Sequence, residues 1–147
     1  MRRLLVLALA GLVVAPAAGA QDAAIRLERP WVRRAPAMPD ARPGAESTAA
    51  GYVTLLNRGP DRDALIAASA DVAARVELHE TRNMSGMMMM ERVDKVELAP
   101  GSRVELRPGS YHLMLIGLKR ALTPGQIVTL TLEFERGGRM MTRAEVR

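Results

Sequence analysis

No cysteine occurs anywhere in the 147 residues. That excludes a disulfide framework, a zinc ribbon, a cysteine nucleophile and a thioether-linked lipid. Aromatic residues are scarce as well: one Trp, two Tyr and one Phe leave little surface on which bases could stack. The basic residues, all but Lys95 and Lys119 arginine, are scattered singly or as adjacent pairs and form no longer block of like charge. Nucleic-acid binding is therefore not expected. Gly-x-Ser-x-Gly, Walker and His-Glu-x-x-His patterns are missing too, and no nucleophile–base pairing can be argued, so the chain is not expected to be an enzyme. Beyond the N-terminal stretch no run is long and apolar enough to span a bilayer.

That N-terminal stretch has the character of an export signal. Met1-Arg2-Arg3 is a short basic start, residues 4–14 are apolar, and Ala18-Gly19-Ala20 supplies the small-residue pattern of a cleavage site. The expected division is residues 1–20 as signal peptide and 21–147 as one domain, soluble once the signal is removed. Cleavage after Ala20 takes two arginines and no acid, lowering the formal net charge from +5 to +3. The remaining 127 residues are enough for a core without staples.

Those residues read as short alternating segments: 25–33, 48–57, 64–68, 75–81, 87–93, 103–107, 111–116, 127–135 and 139–146. Alternation is clearest in Thr129-Leu130-Thr131-Leu132-Glu133-Phe134, where every second side chain is apolar. Four Pro-Gly pairs, beginning at Pro43, Pro100, Pro108 and Pro124, punctuate the chain as turns, and Gly137-Gly138 suggests a tight hairpin. Residues 34–47, with three prolines, read as one long loop. A helical turn near 117–122 is the one non-strand element expected. Eight or nine such strands argue for an all-β antiparallel sandwich or barrel.

The chemistry gathers around the two histidines. In Tyr111-His112-Leu113-Met114-Leu115, strand alternation sends His112 and Met114 to one face and the other three to the core. Imidazole and thioether then stand about 7 Å apart along the strand. His79 closes the run Val76-Glu77-Leu78-His79, and Met84 and the unbroken Met87-Met88-Met89-Met90 follow it. Four consecutive methionines specify packing poorly. Alternation places Met88 and Met90 on one face and Met87 and Met89 on the other, so one pair can fill the core while the other is offered elsewhere. Neutral imidazoles with thioethers form a soft ligand set that favours Cu(I) over zinc, calcium or magnesium.

The pattern resembles the periplasmic copper chaperone family known as PCu(A)C, whose motif is H-x10-M-x21-H-x-M. His79, Met90, His112 and Met114 match all four fixed positions with the family's spacings. The flanks Val76-Glu77-Leu78-His79-Glu80-Thr81 and Pro108-Gly109-Ser110-Tyr111-His112 are similar as well, and the likeness runs from Trp31 to Phe134. The resemblance implies a cupredoxin-like Greek-key β-sandwich with a surface-exposed site. His79, Met90, His112 and Met114 would there bind copper as Cu(I), one per chain. Family spacing selects Met90, whereas alternation alone does not separate it from Met88. Some relatives bind a second copper through a His/Met-rich C-terminal tail. This sequence ends at Arg147 without one, so no second site is expected, and Met140 and Met141 are read as packing.

The resemblance further implies a periplasmic metallochaperone. Its partner would be a copper-accepting protein, a cytochrome c oxidase subunit or another assembly factor. A copper storage or tolerance protein would need the same ligands. A blue-copper electron carrier would need a cysteine thiolate, which is absent. A metal-free immunoglobulin-like domain would account for the strands but not for the methionines.

Overall fold

A computed structural model describes residues 24–36 and 46–147. The expected signal peptide and most of the expected loop at 34–47 lie outside these residues. Ten strands are described: β1 Ile25–Val32, β2 Thr48–Asn57, β3 Asp63–Ala70, β4 Ala73–Met84, β5 Met87–Arg92, β6 Val96–Leu98, β7 Arg103–Glu105, β8 Tyr111–Leu118, β9 Ile127–Phe134 and β10 Gly138–Val146. Among the described residues there is no helix, and hence none long and apolar enough to cross a membrane.

The order β4-β8-β2-β1-β10-β9-β3 closes on itself through a β3–β4 contact at Ala68 and Val76, giving a seven-stranded barrel. β5 extends the sheet outward from β4, β6 lies beside β3, and β7 pairs with β2. The expected all-β sandwich or barrel is thus present in closed form. One ladder departs from antiparallel pairing: β1 runs parallel to β10, with Trp31 beside Glu145 and Val32 beside Val146. A bulge precedes that stretch, where Arg29 takes a φ of 47° and Pro30 contributes no donor.

Aliphatic residues fill the interior. On β9, Val128, Leu130, Leu132 and Phe134 are buried and the threonines between them are not, as period two requires. On β8, Leu113 and Leu115 are fully buried, each side chain stabilising the fold by about 1.5–3 kcal/mol. Three of the Pro-Gly turns lie within the described residues, and their glycines adopt the positive φ such turns need: 70° at Gly101, 81° at Gly109 and 89° at Gly125.

Four expectations change. β6 is an added strand, with Val96 and Leu98 buried beside β3. No helical turn forms at 117–122: β8 continues to Leu118, and Leu122 bridges Ala35. Met141 is 72 % exposed and so is not packing, whereas Met140 does pack on the core. Neither face of the methionine run enters the core, because β5 lies beyond the barrel wall.

Candidate metal centre

Two neighbouring ladders bring the site together. β4 runs antiparallel to β8 with His79 directly opposite His112 and Glu77 opposite Met114. Directly opposed residues project from the same face of a sheet, so both imidazoles and the Met114 thioether share the barrel's outer face. The two rings are tilted, with centroids 5.7 Å apart. On the other side of β4, Met90 stands opposite Thr81 and Met88 opposite Asn83. Both methionines therefore face the same way as His79, with Met90 one step nearer to it. Register favours Met90 over Met88, a distinction that alternation alone could not make.

All of these side chains but His79 border one shallow cleft. Met88, Met90, His112 and Met114 line it together with Arg33, Ala50, Tyr52, Thr81, Pro108 and Gly109. Its floor is protected and its rim is open: His112 is 5 % exposed and Met90 63 %. Trp31 packs on Tyr52 with ring centroids 4.4 Å apart, and the Arg33 guanidinium lies 6.0 Å from the Tyr52 ring centre. A larger groove between 34–36 and 121–124 offers no soft donor.

Hydrogen bonding fixes which nitrogens can accept a metal. His112 Nδ1 lies 3.1 Å from the Ser110 carbonyl, which can only accept. Nδ1 therefore carries the proton and Nε2 keeps its lone pair. His79 Nε2 lies 2.9 Å from Glu77 Oε2. This hydrogen bond, chief among the influences on Glu77, holds that carboxyl below the usual range, so it accepts as a carboxylate and Nε2 donates. His79 Nδ1 is then the unprotonated nitrogen, and it is buried without a hydrogen-bond partner. An orphaned buried nitrogen is costly unless it has a ligand to meet. Glu77 is itself held by Arg75, which also forms a two-pronged ion pair with Glu46 at 2.7 and 2.8 Å.

Burial pushes the His112 imidazole below its ordinary value, opposed by the Ser110 carbonyl and reinforced by His79 and Arg33. A neutral ring is the form a metal requires. Among the described residues no three His, Cys, Asp or Glu side chains gather as a metal site. Two imidazoles flanked by thioethers are a soft, neutral donor set, which suits soft cations. All four residues singled out from the sequence thus share one face: Met90, His112 and Met114 line the cleft, and His79 stands beside it as the strand partner of His112. Glu77 and the Ser110 carbonyl were not singled out. Glu77 had a signal, since it sits two residues before His79 and so on its face, whereas a backbone acceptor leaves none.

Comparison with known proteins places the chain in a family and a fold. The LpqE-like family profile matches residues 25–146. "Putative lipoprotein Lxx21020" of Leifsonia xyli subsp. xyli is 32 % identical over 120 residues, covering 81 % of this chain and 67 % of its own length. The fold is similar to that of the copper-bound PCuAC domain from PmoF2, with a TM-score of 0.66 and 27 % identity over 84 % of this chain and 92 % of that domain. It is also similar to the solution structure of CuI-DR1885 from Deinococcus radiodurans, with a TM-score of 0.56 and 29 % identity over 88 % and 83 % of the two chains. The barrel is thus of the cupredoxin-like type that these PCuAC domains share.

Proposed function

The chain belongs to the LpqE-like family of PCuAC proteins, and from that premise we propose that it is an exported Cu(I)-binding chaperone whose ligands are His79, Met90, His112 and Met114. The observation that carries this reading is the direct pairing of His79 with His112, with Met114 on the same face and Met90 at the rim of the same cleft. Copper is the cargo rather than a reactant, so binding and transfer are the function, not catalysis.

The arrangement suits hand-over. The imidazoles form a protected, oriented base, while the exposed Met90 thioether is the ligand a recipient reaches first. Neutral donors bind a monovalent ion without adding charge, and a partner's ligands can replace them one at a time. The proposed destination is cytochrome c oxidase during its assembly, in the periplasm, after removal of residues 1–20. A lipoprotein name among the relatives supports export.

Anaerobic Cu(I) titration against a competing chelator tests the site. Replacing His112 or Met114 by alanine is expected to abolish tight binding at this cleft, and unchanged binding would sink the ligand assignment. Deleting the gene tests the role. Impaired oxidase assembly at low copper is expected for delivery, whereas sensitivity at high copper alone would indicate storage or tolerance.

A further inference from the structure

The methionines of the outer hairpin remain unexplained by this site. β4 and β5 are joined by Ser85 and Gly86, whose φ angles of 54° and 85° make a tight two-residue turn. The ribbon they form projects past the barrel wall. On the face turned away from His79 stand Met84 opposite Met87, and Met89 opposite Arg82. Their exposures are 53 %, 68 % and 42 %. No burial rewards them there, and methionine has no special preference for strands.

Thioether chemistry is what distinguishes these side chains from other surface residues. Met84 and Met87 are directly opposed, which puts their Cβ atoms about 5 Å apart, and Met89 lies about 7 Å along the same strand. Three rotatable bonds let each sulfur reach a shared centre. Beside the trio, Glu80 and Glu91 oppose one another across the ladder. Arg82 offsets one of them through an ion pair with Glu80 at 2.7 Å, leaving net negative charge. Soft neutral donors beside a negative patch suit a soft monovalent cation.

We propose that Met84, Met87 and Met89 form a second, weaker Cu(I) site made only of thioethers, on the face of the hairpin opposite the proposed histidine site. It lacks imidazole, has open solvent on one side and sits on a two-stranded ribbon, so it holds the ion loosely. Its position one strand thickness from Met88 and Met90 makes it a capture point that can feed the tighter cleft. The assignment stands independently of the histidine site, because it uses none of its ligands. It also revises the expectation of a single copper, which considered only a C-terminal tail.

The test is anaerobic Cu(I) titration of the full chain, comparing wild type with the Met84→Leu/Met87→Leu/Met89→Leu protein. Leucine keeps size and apolarity and removes only sulfur. The second equivalent is expected to weaken by about tenfold or more, with the first changed less than about twofold. A second equivalent that binds both proteins equally overturns the proposal. A His79→Ala/His112→Ala protein gives an independent arm. It is expected to retain one weak Cu(I) with sulfur-only coordination by X-ray absorption, and complete loss of binding overturns the proposal. Should that protein fail to fold, methionine-methyl NMR of wild type decides. The second equivalent must shift the methyls of Met84, Met87 and Met89, and shifts confined to Met88, Met90 and Met114 overturn the assignment. The histidine reading fails separately, if the first equivalent ignores loss of both histidines.

Discussion

The two imidazoles are held by acceptors of different kinds, a backbone carbonyl for His112 and a carboxylate for His79. Each bond commits one nitrogen and frees the other, so neighbouring groups set ring orientation before any ion arrives. Such supporting partners typically govern about 10- to 100-fold in metal affinity. Glu77→Gln keeps a hydrogen-bonding side chain but loses the charge and is expected to weaken Cu(I) binding by about tenfold, measured by chelator competition. His112 also carries a pH signature. Burial lowers its folded-state value below the ordinary 6.5, so as pH falls the unfolded chain takes up the proton first. Stability is therefore full above about pH 6.5 and is lost progressively below it. Urea midpoints of the metal-free protein should fall between about pH 7.5 and about pH 5.5, and less steeply in His112→Gln. Equal slopes would show that the buried ring does not resist protonation.

Among the elements, the β9–β10 hairpin and the start of β3 are tied by one side chain. Asp63 is buried and accepts from the backbone N–H groups of Ala64, Arg136 and Gly137 at 2.8, 2.9 and 2.8 Å. Asp63→Ala would strand those donors, and a loss of about 2–4 kcal/mol in chemical denaturation is expected, with copper affinity unchanged. Gly117, next to last in β8, has a φ of 69°, and a Cβ there would lie 2.9 Å from that of Ala74. Gly117→Ala should cost about 1–3 kcal/mol by the same measurement. Local pattern made much of this scale legible. The alternation of β9, the one-face pairing of His112 with Met114 and the glycines of the Pro-Gly turns all follow from near neighbours in sequence. The fate of the methionine run does not. Period two assigns Met87 and Met89 to one face and Met88 and Met90 to the other, but what covers a face depends on which strand lies beside β5. That is a question of sheet order, and β5 is terminal. β6 is defined by its pairing with β3, with Asp63 opposite Leu98 and Leu65 opposite Val96, a non-local contact that local pattern does not carry.

For the molecule as a whole, barrel closure puts β4 and β8 side by side although 30 or more residues separate His79 from His112 in sequence. The pairing that builds the proposed centre is thus a non-local contact that spacing can match to a family but cannot derive. The proposed ligands come from three adjacent strands, β4, β5 and β8, so an ion would fasten the projecting hairpin to the wall. Free Cu(I) at about 1,000-fold over its dissociation constant should stabilise the folded chain by about 4 kcal/mol. Thermal melts with and without Cu(I) should show the rise, and hydrogen exchange should slow most in β5. A His112→Ala/Met114→Ala protein is expected to show no such rise at the same concentration.

The contrast between a sheltered nitrogen floor and sulfurs at the rim also decides how such a protein wears out. Peroxide or hypochlorite would reach Met90 long before anything at the depth of His112, turning a soft donor into a polar sulfoxide. Copper held as proposed above would then lose a ligand, and a sulfoxide reductase, rather than resynthesis, would restore the donor.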